Sequence, residues 1–271
     1  MKYVSKIYLF LIFGILYIPI LTLILFSFNS SNSTAVFTGF SFRWYIELFN
    51  SPETFVALRN TLILAVLSAL ISTVIGTAAA EGIYRMRSKL TKTVIESVTN
   101  IPMMNPDIVT GMSMMLFFVA VAGIIGVTYE DMGFTAMLIS HVTFCLPYVI
   151  LSVLPRINEL GNSLSEAALD LGCTPIQAFF KVKLPNIMPG VLSGMIMAFT
   201  MSLDDFVISY FVGSSTFQTL PLLIYSMTKK KVTPDMYALS SLIVVTIFIL
   251  LVISNVKSGK KFEKKNGGAR K

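Results

Sequence analysis

The chain of 271 residues is 55% hydrophobic and only 13% charged, with a mean hydropathy of +0.77. Soluble domains carry about 25% charged residues, so this composition excludes an ordinary soluble domain and indicates a membrane protein. The net charge of +7 does not call for a nucleic-acid partner, because the basic residues gather beside apolar runs and in a tail, where membrane lipid offers the counter-charge.

Seven charge-free runs, 7–42, 60–80, 108–129, 132–155, 184–203, 206–228 and 236–256, are each long enough to cross a bilayer. A hydrocarbon core about 30 Å thick takes about 20 residues at 1.5 Å rise each. In chain order the runs reduce to six predicted transmembrane helices. The first, 7–28, is longer than a secretory signal core and no small-residue cleavage site follows it, so it reads as an uncleaved helix. The loop 29–59 opens with the polar Asn29-Ser30-Ser31-Asn32-Ser33. Farther on, Trp44, Tyr45, Leu48 and Phe49 share one helical face, as expected of a short helix lying in the membrane interface. The second helix, 60–80, ends in Gly76-Thr77-Ala78-Ala79-Ala80, small residues that let helices approach closely. The third, 101–127, is irregular at its start, where Pro102, Pro106 and Asp107 crowd together. Such broken ends are tolerated at depth where they line a cavity or pack within protein.

The fourth helix covers 133–154, and the fifth is drawn as a single helix, 187–212, passing through Asp204-Asp205. Gly213-Ser214-Ser215-Thr216 and then Pro221 read as a loop, followed by a short element at 219–228 outside the core. The sixth helix, 236–256, leads into a basic tail, 257–271. Sixteen of the 21 lysines and arginines fall on the side that holds both termini; the other five are Arg43, Arg59, Lys229, Lys230 and Lys231. The positive-inside rule therefore places the N- and C-termini in the cytoplasm. A seventh helix would move the basic tail outside, so the charge pattern also supports six. The expected architecture is an all-α membrane protein with one transmembrane domain over 1–271. Cys145 and Cys173 lie too far apart to suggest a bridge or a metal site, and the fifteen methionines read as adaptable packing. No metal is expected.

The segment 155–186 carries the most information. Ser163 followed by Glu166 fits a capping box, and Gly172 stands where a left-handed C-terminal cap is needed. Thr174 and Pro175 supply an N-cap and a first-turn residue for a second short helix, and Pro185 is expected to stop it. A loop that merely joins two membrane helices needs no such rigidity, whereas one that transmits force does.

These residues also resemble a known family. Glu166-Ala167-Ala168, three residues, Gly172, nine residues and Val182-Lys183-Leu184-Pro185 resemble the EAA signature of ABC importer permeases, with Val182 standing at the family's isoleucine. The resemblance implies a type I importer permease in a bacterial inner membrane. Its coupling loop, here Glu166, Ala167, Ala168, Gly172, Leu184 and Pro185, would dock on a cytoplasmic ATPase. Implied partners are a second permease subunit forming a heterodimer, two copies of the ATPase and an extracytoplasmic binding protein, besides membrane lipid. The stretches Asn105–Val109, Ser140–Pro147, Ser202–Val207 and Leu220–Met227 are similar to the spermidine/putrescine permeases of that family, which implies a polyamine cargo. No phosphate-cradling G-x-x-x-x-G-K-[ST] loop is present. ATP and magnesium are therefore expected on the partner ATPase, with no cofactor bound by this chain and no catalytic residue in it.

A carboxylate at the centre of a membrane helix costs about 2.5–3.5 kcal/mol, so Asp204 and Asp205 need a compensating role. Asp204 lies about 26 Å along a helix from Ile187, near its outer end, with Phe206 and Tyr210 close by in sequence. Paired carboxylates and aromatic faces would offer a linear polycation charge and cation–π contacts; the alternative is a pair that caps the helix end in water. Asp107 is either a lower waypoint on the same path or a cap after Pro106. His141, the only histidine, reads as a hydrogen-bonding partner of a neighbouring helix, or as a proton relay. A proton-coupled secondary transporter or channel for a cationic solute could use Asp204, Asp205, Asp107 and His141, but has no need of the 155–186 signature. An intramembrane hydrolase fits worst, because adjacent helical residues diverge by about 100° and form no facing dyad.

Overall fold

The computed structural model describes residues 2–31, 36–161, 163–214, 217–229, 235–246 and 248, nearly all of them helical. Five helices are long and apolar enough to cross a membrane, over Tyr8–Phe26, Pro52–Arg85, Asp107–Ile125, Tyr129–Leu160 and Pro175–Leu203. They match five of the six expected spans. A further apolar helix covers Asp235–Thr246. Most of the remaining 247–256 stretch, and the basic tail 257–271, lie outside the described residues. The chain divides into two compact units, one holding residues up to Phe55 with those from Leu223 onward, the other running from Val56 to Leu222.

In the first unit, helix α1 (Lys2–Phe26) exposes apolar side chains such as Phe10, Ile15 and Leu25 around its circumference. A helix that is apolar on every side is at home in lipid or against other apolar helices. The loop after it is organised by Asn29, which is buried. Its side chain donates to the Val36 carbonyl at 2.8 Å and accepts from the Thr38 amide at 2.9 Å. Its own carbonyl accepts from Trp44 Nε1 at 2.6 Å. Helix α2 (Arg43–Asn50) buries Trp44 and Leu48, while Phe49, expected on the same face, is exposed. Trp44 and Leu48 are therefore covered by protein, and it is Ile46 and Phe49 that remain outside. Tyr45 Oη lies 2.7 Å from Ser27 Oγ and 2.7 Å from Ser241 Oγ, so it joins the end of α1 to the Asp235–Thr246 helix.

Helix α3 (Pro52–Arg85), which belongs to the second unit from Val56 onward, runs well beyond the expected 60–80. Pro52 and Glu53 suit its first turn and Arg85 its last, as the helix dipole favours. Helix α4 (Lys89–Met104) is capped by Ser88, whose Oγ accepts from the Thr91 amide. The expected third span, 101–127, begins later than drawn. Asn105 and Pro106 are extended and separate α4 from α5 (Asp107–Ile125), because the residue before a proline avoids the helical region. Helix α6 (Tyr129–Leu160) is longer than the expected 133–154 and opens with a capping box between Thr128 and Asp131.

Helix α6 contributes more to the core than any other helix, with Met137, Cys145, Val149, Val153 and Ile157 fully buried. Its main neighbour is α9 (Leu184–Leu203), and glycine brings the two backbones together. A Cβ on Gly190 would stand 2.8 Å from the Ser152 carbonyl, and one on Gly76 of α3 would stand 2.7 Å from Val149 Cγ1. Only a residue without a side chain permits these approaches. The expected single fifth helix, 187–212, is corrected in two ways. It continues backwards without a stop to Pro175, and it breaks after Leu203, resuming as α10 (Val207–Val212). Helix α11 (Leu220–Lys229) follows the expected loop and spans the boundary between the two units, with Leu220 and Leu223 buried.

Candidate functional site

Two places gather chemistry: the break between α9 and α10, and the segment that joins α6 to α9. The break arises where two adjacent carboxylates would have entered a buried helix. Asp204 leaves the helical region, with φ −99° and ψ 2°. Asp205 turns its carboxylate onto the start of α10, where it accepts from the Ile208 amide at 3.2 Å and the Ser209 amide at 2.8 Å. A carboxylate on the unpaired amides of a helix N-terminus is well placed both for hydrogen bonding and for the dipole. Asp205 therefore caps the start of α10 from a buried position, an arrangement different from a pair capping a helix end in water.

Asp205 is also held from the side. Its Oδ2 lies 3.5 Å from His141 Nε2, which is 3.1 Å from Ser209 Oγ. His141 Nδ1 lies 2.8 Å from Ser202 Oγ, and Ser68 donates to that same oxygen at 2.8 Å. All of these side chains are buried. One chain of hydrogen bonds therefore laces α3, α6, α9 and α10 together, as polar groups inside apolar helix bundles do. His141 does bond to neighbouring helices. The serines had no pattern to announce them: Ser68, Ser202 and Ser209 are isolated small residues in apolar stretches, and only the folded arrangement brings them to one histidine.

Asp204 has different surroundings, being exposed beside the break. The last carbonyls of α9 add their partial negative charge there. Phe206 and Tyr210 pair with ring centroids 5.5 Å apart, and Tyr210 is exposed. This is an arrangement suited to a cation. Asp107 is the exposed first residue of α5, in the first turn where a negative charge suits the dipole. One turn further on, α5 meets α10: a Cβ on Gly111 would lie 3.0 Å from the Phe211 ring and 3.5 Å from Ile208 Cα.

In the connecting segment, the expected corner is present. Helix α7 (Ser163–Asp170) ends in a Schellman motif, with the Cys173 amide donating to the Ala168 carbonyl at 3.0 Å and the Gly172 amide to Leu169 at 2.9 Å. Gly172 has φ +83°, which a residue with a side chain resists. Thr174 then caps α8 (Pro175–Gln177), and Gln177 Oε1 accepts from the Thr174 amide at 3.1 Å. The capping box falls here. Ser163 is itself the first helical residue of α7, so the box expected between Ser163 and Glu166 is displaced, and position 162 lies outside the described residues. Ala168 is buried, while Leu164, Glu166, Ala167, Leu169 and Asp170 of α7 are exposed, as are Leu171 and Ile176 beyond it.

Pro185 does not stop the helix. Between α8 and α9 the chain forms a π-helical turn, Ala178–Lys183, in which the Leu184 amide reaches back to Phe179. The wider turn lets Pro185 sit in the first turn of α9, where its missing N–H leaves no gap. Leu184 is half-buried and Pro185 exposed. Sequence reasoning missed Glu81 and Lys183, whose side chains meet at 2.7 Å between α3 and this π-turn.

Comparison with known proteins points to one family. The family described as "Binding-protein-dependent transport system inner membrane component" matches residues 72–257. The chain is 40% identical over 238 residues to the putrescine transport system permease protein PotI of Escherichia coli (strain K12), covering 88% of this chain and 84% of that protein. It is 36% identical over 253 residues to the spermidine/putrescine transport system permease protein PotC of Haemophilus influenzae, covering 93% and 95%. Its fold is similar to a chain in the crystal structure of a bacterial ABC transporter involved in the import of the acidic polysaccharide alginate, with a TM-score of 0.77 over 96% of this chain and 95% of that one. At 18% identity that likeness concerns the fold alone.

Proposed function

Because this chain belongs to the family of binding-protein-dependent transport system inner membrane components, we propose that it is the permease subunit through which an ABC importer brings putrescine and spermidine into the cell. It is a multi-pass inner-membrane protein. The permease reading is carried by the connecting segment, in which a corner at Gly172 joins the exposed helix α7 to a helix that runs without interruption from Pro175 into the membrane. An ATPase seated on Glu166, Ala167, Ala168 and the neighbouring leucines would push on a lever rather than on a slack loop. The ATPase is present in two copies and holds the ATP and magnesium. A second, related permease subunit completes the pore as a heterodimer, and an extracytoplasmic binding protein delivers the cargo.

The polyamine assignment is supported by the relatives named for putrescine and spermidine and by the chemistry at the α9–α10 break. Asp204, the carbonyl end of α9, Phe206 and Tyr210 meet the incoming ammonium groups, with Asp107 as a further acidic waypoint. Asp205 supports this contact from behind, since its charge already faces α10 and His141. Labelled putrescine and spermidine, with a neutral amino acid of similar size as control, should enter proteoliposomes that hold the complete complex and excess binding protein. Uptake of the control alone would set the polyamine reading aside.

A further inference from the structure

Two buried charges lie where α3 meets the connecting segment, and the proposed function leaves both without a role. Glu81 stands in the last turns of α3, and Lys183 closes the π-turn ahead of α9. Lys183 is only 3% exposed, and its Nζ lies 2.7 Å from Glu81 Oε2. The same ammonium sits 4.3 Å from the centre of the Tyr84 ring, also on α3, so charge pairing and a cation–π contact hold it from two sides. Arg85 Nε donates to the other carboxylate oxygen of Glu81 at 2.6 Å, which fixes the rotation of that carboxylate. A buried ammonium withdrawn from water needs such partners, and all of them come from α3.

The π-turn lies immediately before this pairing. Its extra residue offsets the helix faces before and after it by about 100°. Lys183 is the last residue of that turn and runs directly into α9, so the turn sets how α8 and the Gly172 corner are rotated relative to the helix that carries the ion pair. The ion pair therefore fastens the α9 end of the segment that joins α7 to α9 onto α3.

We propose that Glu81 and Lys183 form a tie that passes displacement of the connecting segment to α3, so that α3 and α9 move together during transport. They are positioning residues: neither touches cargo or the ATPase. This inference rests on the reading that α7 docks the ATPase, and the test keeps the two apart. In the reconstituted wild-type complex, binding protein should stimulate ATP hydrolysis and uptake together; absence of that stimulation would remove the permease reading itself. The double variant Glu81→Gln with Lys183→Met takes away both charges at once and leaves no unpaired charge in the interior. The complex should assemble and hydrolyse ATP, while cargo moved per ATP falls about tenfold. Wild-type transport per ATP in this variant overturns the tie. A second measurement leaves the pair intact. Spin labels at Gly82→Cys and Lys181→Cys, both exposed positions, in a Cys173→Ser background should keep a constant separation between the nucleotide-free and ATP-trapped states. A measurable change in that separation means that α3 and the segment slide past each other, and the tie does not exist.

Discussion

Asp204 and Asp205 are chemically identical neighbours with different tasks set by their surroundings. Asp205 caps α10 and faces His141, while Asp204 is exposed at the carbonyl end of α9. Substituting each separately should divide the two roles. Asp204→Asn should lower polyamine uptake by about tenfold, the worth of roughly one charge-assisted contact, with complex yield and thermal midpoint unchanged. Asp205→Ala should instead cost about 1–2 kcal/mol through the lost cap, seen as a lower melting midpoint of the detergent-solubilised complex. His141→Leu should act in the same direction, because it leaves Ser202 and Ser209 short of a buried partner. Wild-type uptake with Asp204→Asn would move the cargo contact elsewhere. The acidic pair was legible in the sequence because charge stands out in an apolar run. Its division was not, since that depends on a histidine some sixty residues earlier in the chain and on three serines without any local signature.

At the scale of elements, what local chemistry dictates was legible and what packing dictates was not. Gly172, Thr174 and Pro175 act within one turn of themselves, and the corner they form stands where their chemistry places it. The same local rule failed at Pro185, because a π-turn anchored by Lys183 on Glu81 absorbs the proline. It failed again at the fifth helix, where hydropathy continues across Asp204-Asp205 although the backbone does not. Gly172→Ala should destabilise the corner by about 1–2 kcal/mol, the cost of a left-handed residue bearing a side chain. The bulkier, β-branched Gly172→Val should weaken ATPase retention during purification at normal membrane insertion. Glu166→Arg, exposed on α7, should do the same without disturbing the corner. An ATPase that remains fully bound in both variants would show that it docks elsewhere.

For the molecule as a whole, hydropathy pointed to five helices that are long and apolar enough to cross a membrane among the described residues, and the basic residues proposed which side faces the cytoplasm. Labelling checks that orientation. A cysteine at Asn50, exposed at the end of α2, should react with an impermeant reagent added outside. One at Leu171, exposed beside the corner, should react only after permeabilisation; equal labelling at both positions contradicts the six-helix topology. In the proposed function, ATP hydrolysis beneath this chain drives polyamine through it by way of the α7–α9 lever. Its most direct test is the uptake of labelled spermidine by proteoliposomes holding the complete complex and excess binding protein, with the proton gradient dissipated. The account predicts uptake that requires ATP, persists without the gradient and is lost with Gly172→Val. Uptake that ignores ATP and collapses with the proton gradient would contradict it and favour a proton-coupled carrier.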